Sequence, residues 1–248
     1  MEYALAPIML TIADNIQAIS ARITRICAEC ARNPDGVTLL AVSKTFGADA
    51  VLAAARAGQR AFGENYIQEA VRKMQEVAAL GAPQLQWHCI GPIQSNKTRL
   101  VAEHFDWAHT IDRLKIAQRL SDQRPAHLPP LQVCIQVNVD GGTTKSGATP
   151  EDAPALALAV ARLPRLALRG VMSIPDPRPD LDAQCAVHRR ARAVFDAIAA
   201  ALPPGHAGFD TLSLGMTADL EAAIRAGSTM VRVGTGIFGA RHYGSATP

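Results

Sequence analysis

One lysine stands at the end of a predicted buried strand, where its amine could do covalent chemistry. Lys44 closes the apolar, β-branched run 37–43, which lies between Gly36 and Gly47 and has the composition of a fully buried strand. Burying an ammonium is costly, but at the carboxyl end of a strand the amine can point into a pocket. A lysine held there can lose its proton and form a Schiff base. Lys44 is therefore the candidate for a nucleophile or a covalent anchor.

A glycine-rich turn follows the last predicted strand and could bind an anion. Residues 234–239, Gly-Thr-Gly-Ile-Phe-Gly, have the glycine spacing of a dinucleotide fingerprint. That fingerprint should open a βαβ unit with an acidic residue about 20 positions later, and this sequence ends at Pro248. The backbone N–H groups at Gly234 and Thr235 could nevertheless hold a phosphate. A purely structural turn is the alternative.

Polar or sulfur-containing side chains also stand at the ends of most other predicted strands. Arg232 interrupts the last strand, and either faces the mouth of the fold or points outward and pairs with a helix carboxylate such as Glu221. Each of the other residues at strand ends could bind a ligand, cap a helix or form ordinary hydrogen bonds. They are Ser43, Glu64, Asn65, His88, His109, Asp112, Asn138, Met172, Ser173, Ser213 and Met216.

The elements that would position these residues alternate between strand and helix. Candidate strands are 37–44, 60–63, 86–90, 106–110, 131–138, 167–173, 211–214 and 230–233. Helical patterns are 48–57, 65–80, 95–103, 113–123, 150–162, 180–201 and 217–226. This order predicts an α/β fold, a single parallel (β/α)8 barrel over residues 37–241. An isoleucine stripe predicts an extra N-terminal helix over 8–32, and we expect one domain over 1–248. A doubly wound open sheet is the alternative.

Composition excludes several classes of function. Hydrophobic residues make up 48% of the chain and charged residues 19%, which suits a globular protein with a substantial core. The net charge of +3 is small and scattered, so we expect no nucleic-acid partner. No apolar run reaches the ~18 residues that a membrane span needs. Cys27 and Cys30 form a CxxC on a helical pattern, where they are simply neighbours, and an odd count of five cysteines without a framework predicts a reducing, cytoplasmic location. The N-terminus has Glu2 and no basic region, so we expect no signal peptide.

The motifs together resemble the pyridoxal phosphate homeostasis proteins, also called the YggS or PROSC family. The resemblance runs from about residue 37 to 241. It is carried by segments 39–44, 62–69, 87–97, 109–112, 145–147, 212–216 and 227–239.

This resemblance implies a fold-type III barrel like the N-terminal domain of alanine racemase, with pyridoxal 5'-phosphate bound to Lys44 as an internal aldimine. It implies phosphate contacts from Ser213, Gly234 and Thr235. It also implies that Arg232 faces the pyridine nitrogen. The remaining residues that it implies around the cofactor are Asn65, Met172, Ser173 and Met216.

The resemblance and the residues together favour a cofactor holder over an efficient enzyme. An arginine at the pyridine nitrogen disfavours the proton that makes the ring a strong electron sink. Racemisation needs an acid/base group on each face of the substrate. Lys44 could serve one face, and in the racemases that the motifs resemble a tyrosine from a second domain serves the other. We expect no second domain after the eighth strand here, and only Tyr66 of the tyrosines lies near a strand end.

We therefore expect a protein that stores, buffers or delivers pyridoxal phosphate, with apo-enzymes as possible recipients, and that is monomeric. A small amino-acid racemase using Lys44 and Tyr66 is the first alternative. A phosphate-ligand barrel enzyme without this cofactor is the second.

One departure from the family pattern concerns the residue two positions after the cofactor lysine. The family often has a basic residue there, and this chain has Phe46. Lys145 matches another lysine of the pattern and could serve cofactor transfer, although a solvated loop lysine is the simpler interpretation.

Overall fold

The computed structural model describes residues 5–142, 146–206 and 208–239, with side chains from Thr11 onward. The strands are β1 (Thr38–Val42), β2 (Ala61–Glu64), β3 (Gln86–Cys89), β4 (Trp107–Ile111), β5 (Leu131–Gln136), β6 (Leu166–Met172), β7 (Thr211–Ser213) and β8 (Met230–Val233). The helices are α1 (Leu5–Glu29), α2 (Ala48–Arg56), α3 (Ile67–Ala79), α4 (Thr98–His104), α5 (Leu114–Gln123), α6 (Ala153–Ala161), α7 (Leu181–Ala201), α8 (Leu220–Arg225) and α9 (Thr235–Phe238). Each predicted strand and helix is confirmed within a few residues.

The eight strands form one closed, all-parallel barrel in sequence order. β1 pairs with β8, with Leu40 opposite Arg232 and Ala41 opposite Val233. This closure confirms the (β/α)8 prediction and excludes the open sheet. It also places the ends of β1 and β8 side by side at the carboxyl mouth of the barrel, where active groups collect in this fold.

Strand β5 ends two residues before its predicted end at Asn138. Beyond Gln136 the Val137 amide still donates to the Met172 carbonyl of β6 (2.9 Å), and the chain also pairs with segment 146–148, since the Asn138 amide donates to the Ala148 carbonyl (2.9 Å). The Gln136 side-chain amide donates to the carbonyl of Ser146 (3.1 Å). Segment 146–148 is thereby fixed against the barrel mouth, while Lys145, which precedes it, lies outside the described residues.

Two apolar layers hold the barrel together. The outer layer lies between strands and helices, and the inner layer includes a cluster of Leu40, Val42, Ala61, Ile90 and Met230. Strand side chains alternate between these layers. The same alternation turns the polar residues of β3, β4, β7 and β8 into the barrel interior, where they meet one another.

Helix α1 packs on the outside of the barrel and contacts the loops at its mouth. Its isoleucine stripe from Ile12 to Ile26 is buried, as its periodicity predicts, and the side chain of Ile8 lies outside the described residues. The helix packs against α2, α8 and α9. Asn15 donates to the Ile237 carbonyl (2.9 Å) and Arg22 to the Thr217 carbonyl (3.1 Å). These bonds fix the loops that follow β7 and β8.

The cysteines carry no visible metal or disulfide chemistry in the described ranges. All five are free thiols, and Cys27 and Cys30 lie on α1 as predicted. Burial raises the pKa of the Cys27 thiol. The described part of the chain contains no group of His, Cys, Asp or Glu arranged to hold a metal ion. Across residues 5–142, 146–206 and 208–239, every helix is too short or too polar to cross a membrane.

Candidate active site at the barrel mouth

Lys44 lies in a tight turn immediately after β1. The turn is closed by the Phe46 amide, which donates to the Ser43 carbonyl (3.1 Å). Lys44 is half-buried, and Thr45 after it has a left-handed backbone with φ 69°. A β-branched residue rarely adopts this conformation. The strand end predicted for Lys44 is therefore a constrained turn at the mouth of the barrel.

The glycine turn after β8 lies directly beside the end of β1. A Cβ built on Gly234 would approach the carbonyl oxygen of Val42 to 3.4 Å. Gly234 precedes the single helical turn α9, whose first N–H groups have no acceptor within the turn. The hydroxyls of Thr235 and Thr217 are 3.4 Å apart at the same place. These donors fit a phosphate group next to the Lys44 turn.

Phe46 links these two turns. Its ring packs on Phe238 of α9, with 5.1 Å between the ring centroids. The position where the family often has a basic residue therefore makes an apolar contact between the turn that carries Lys44 and the turn that follows β8.

Arg232 points into the barrel and not outward. It is 3% exposed, and it donates to the Ser213 carbonyl (2.6 Å), the Ser213 hydroxyl (2.8 Å) and the Ser173 carbonyl (2.9 Å). Glu221, the outward partner considered from the sequence, pairs instead with Arg225 (2.9 Å). Burial lowers the pKa of Arg232 to about 10, so the guanidinium remains a cation at neutral pH.

A directional chain of hydrogen bonds runs from Arg232 through the barrel interior. The Ser213 hydroxyl lies 3.1 Å from His109 Nδ1, His109 Nε2 lies 2.9 Å from His88 Nδ1, and His88 Nε2 lies 3.0 Å from Gln86 Oε1. Because Gln86 offers an oxygen and Arg232 offers only donors, we assign both imidazoles as neutral Nε2–H tautomers. Every N–H and O–H in this series of hydrogen bonds then points away from Arg232, and this orientation stabilises the charge of the guanidinium.

Ser213 and Ser173 are therefore engaged inside the barrel. The Ser213 hydroxyl is fully buried and lies between His109 and Arg232. The Ser173 hydroxyl donates to the Val137 carbonyl (2.9 Å). Met172 is fully buried beside Trp107. These three residues form the floor beneath the mouth.

Asn65 and Met216 lie at the rim. The side-chain oxygen of Asn65 is buried without a hydrogen-bond partner among the described residues, so a donor could still be accommodated there. Met216 and Tyr66 are exposed, at 41% and 54%. Met216 is held by its amide, which donates to Asp219 (2.6 Å).

A buried charge network beside Lys44 was missed by the sequence analysis. Lys73 of α3 is 4% exposed and donates to Glu64 Oε1 (2.7 Å) and to the Ser43 carbonyl (2.8 Å). The Ser43 hydroxyl also donates to Glu64 Oε1 (2.7 Å). Burial raises the pKa of Glu64, which the Lys73 ammonium opposes. The available signal was periodicity, because Lys73 shares the buried face of α3 with Ala70 and Val77.

The interior histidines predict a specific loss of stability in acid. Burial lowers the pKa of His88 from 6.5 to about 3, and burial lowers that of His109 well below its usual value. The unfolded chain therefore takes up protons near pH 6.5 that the folded protein does not. We expect each histidine to lower the free energy of unfolding by about 1.4 kcal/mol per pH unit below 6.5, until its folded pKa is reached.

Denaturant unfolding between pH 7.5 and 4 measures this loss. Replacing His88 with glutamine should reduce the acid slope, whereas His127→Gln, at an exposed site, should leave it unchanged. Equal slopes in His88→Gln and the unsubstituted protein would contradict the assignment of His88 as a buried neutral residue.

Comparison with known proteins finds a family model, curated relatives and a solved structure that each match most of the chain. The family model of the alanine racemase N-terminal domain matches residues 15–242. The pyridoxal phosphate homeostasis protein of Pseudomonas aeruginosa is 56% identical over 237 residues, 96% of this chain and 99% of that protein. The one of Escherichia coli K12 is 54% identical, with 95% and 99% covered. The structure of PipY from Synechococcus elongatus with PLP bound is 32% identical, with a TM-score of 0.77 over 92% of this chain and 100% of that one.

Proposed function

Because the chain belongs to the pyridoxal phosphate homeostasis proteins, within the alanine racemase N-terminal domain family, we propose that it binds pyridoxal 5'-phosphate and holds it reversibly for storage, buffering or delivery. The observation that carries this proposal is the adjacency of the Lys44 turn and the Gly234 turn across the β1–β8 seam. An aldehyde and a phosphate on one small ligand need an amine and an anion cup side by side.

Different residues of the barrel mouth bind different groups of the ligand. Lys44 forms a Schiff base with the aldehyde, and the N–H groups and hydroxyl at Gly234 and Thr235 hold the phosphate. Arg232, the buried cation of the floor, faces the ring nitrogen. The remaining residues of the proposed site are Asn65 and Met216 at the rim, with Met172, Ser173 and Ser213 below.

The buried cation is the reason to propose holding and not turnover. The cofactor, when bound, supplies an electron sink whose strength depends on a proton at its ring nitrogen. Arg232 keeps its own charge through carbonyl and hydroxyl acceptors, so a second positive charge beside it is unfavourable. We therefore propose little or no catalysis, with apo-enzymes as recipients of the cofactor.

A small amino-acid racemase is the second candidate, favoured by one observation. Tyr66 is exposed at the rim, directly after Asn65, and could serve as an acid/base group opposite Lys44. Its exposure argues against the water-excluded setting that efficient proton transfer to a carbon acid needs.

Absorbance and turnover together test the proposal. The protein incubated with pyridoxal phosphate and dialysed should retain a long-wavelength absorbance band, and should racemise alanine or serine far below about 1 per second. Racemisation at or above that rate would replace the homeostasis proposal with the racemase. A protein that stays colourless would contradict both.

A further inference from the structure

Helix α3 holds both peptide groups that flank Lys44. Lys73 Nζ donates to the carbonyl of Ser43, which precedes Lys44 (2.8 Å). Glu69 Oε1 accepts from the amide of Thr45, which follows Lys44 (3.3 Å). Lys73 and Glu69 also approach each other to 3.8 Å. Two neighbouring side chains of one helix thus fix the backbone on either side of the lysine that the site depends on.

The turn that they hold is strained. Thr45 has φ 69°, a conformation that crowds a β-branched side chain. Such conformations persist only where the surrounding structure over-determines them. Besides the Phe46 amide bond that closes the turn, the described contacts that hold it include Lys73 and Glu69 on one side and the Phe46–Phe238 ring contact on the other. Without them, the turn would relax toward an ordinary backbone and carry Lys44 with it.

The buried ion pair of Lys73 and Glu64 carries a desolvation penalty that an apolar core would not have. Lys73 and Glu64 are 4% and 0% exposed, and apolar residues at such positions often give equal or greater stability. Among the described residues, Glu64 Oε2 has no hydrogen-bond partner, so the pair is not optimised for stability alone. Its hydrogen bonds instead converge on Ser43, at the start of the Lys44 turn.

We propose that Lys73 and Glu69 are positioning residues, which hold the left-handed turn at Thr45 and thereby fix Lys44 beside the phosphate cup. The inference rests on the proposed function for its purpose, but its structural claim concerns the turn itself. The turn can therefore be tested with and without the cofactor.

Two substitutions remove the two halves of this contact. Glu69→Ala removes the acceptor of the Thr45 amide at the partly exposed end of the network. Lys73→Met combined with Glu64→Gln removes the buried pair without leaving an unpaired charge. Val77→Ala is the matched control, because it loosens the buried face of the same helix without a hydrogen bond to the turn.

The cofactor-free readout is amide hydrogen exchange in the segment 43–47, and the second readout is titration with pyridoxal phosphate followed by absorbance. We expect each network variant to exchange about tenfold faster in this segment and to bind about tenfold more weakly, as loss of a charge-assisted hydrogen bond implies. Val77→Ala should change the exchange rate and the affinity by less than about threefold each, although we expect it to lower the melting temperature about as much as the network variants do. Adding Thr45→Gly to Glu69→Ala should recover much of the binding, since glycine adopts this φ without steric cost.

Unchanged exchange and binding in the network variants would overturn the inference. So would an equal loss in Val77→Ala, or no recovery with Thr45→Gly. Failure of the unsubstituted protein to bind pyridoxal phosphate would instead overturn the proposed function, while the exchange experiment would still decide whether α3 holds the turn.

Discussion

Lys44→Ala is expected to abolish the long-wavelength absorbance of the protein incubated with pyridoxal phosphate. Alanine cannot form the Schiff base, and the remaining contacts are those to the phosphate and the ring. We expect the apparent affinity for pyridoxal phosphate to fall by roughly a hundredfold or more. Absorbance titration of the purified variant measures both effects.

The control for this substitution is another lysine on the surface. Lys115→Ala, at an exposed position of α5, should keep the band and the affinity. Retention of the band in Lys44→Ala would move the covalent link to a different amine. The fold should be unaffected, because Lys44 is only half-buried and lies beyond the end of β1 at Val42.

Arg232→Gln is expected to have the second largest effect, on both stability and chemistry. The substitution removes the charge and leaves at least some of the three acceptors of Ser213 and Ser173 without a donor. The free energy of unfolding should fall by about 3 kcal/mol. If residue 232 faces the ring nitrogen as proposed, a neutral group there makes protonation of that nitrogen easier, and conversion of bound cofactor to its amine form by added alanine should accelerate at least about tenfold.

The structure guides the choice of glutamine at this position. A glutamate would bring a carboxylate against carbonyl oxygens of Ser173 and Ser213 in a buried site, so the variant could fail to fold. Arg225→Gln, which removes a partly exposed arginine paired with Glu221, is the matched control and should change neither property. An unchanged spectrum and unchanged reactivity in Arg232→Gln would contradict its placement at the ring nitrogen.

The fold was predictable from the sequence because each element carries its own signal. Short β-branched runs alternate with helical stripes, and their order allows few topologies. Closure of the barrel then pairs β1 with β8. This pairing brings Lys44 and Gly234 together, although 189 residues lie between them in the sequence. Local patterns were sufficient for this part of the site.

The direction of Arg232 was not predictable in the same way. Spacing alone left the inward and outward orientations open, since strand alternation says which residues share a face but not which face is interior. The structure resolves it through Ser213 and His109, on two other strands of the barrel. Contacts of this kind depend on register across the barrel, which one sequence does not reveal.

The polar network around the Lys44 turn was missed for a different reason. Lys73 sits at a buried position of α3, and an amphipathic pattern assigns such a lysine to the solvent face by default. Its partners Glu64 and Ser43 are separated from it along the chain, and only the packing of α3 beside β1 and β2 joins them. The contact of Phe46 with Phe238 was missed for the same reason, because the two residues lie near opposite ends of the barrel sequence.

The most direct measurement is the position of the covalent adduct. The protein should be incubated with pyridoxal phosphate, reduced with borohydride, digested and mapped by mass spectrometry. We expect one pyridoxyl-phosphate adduct for each chain, on Lys44. An adduct mainly on another lysine, or none after reduction, would contradict the account that Lys44 holds the cofactor.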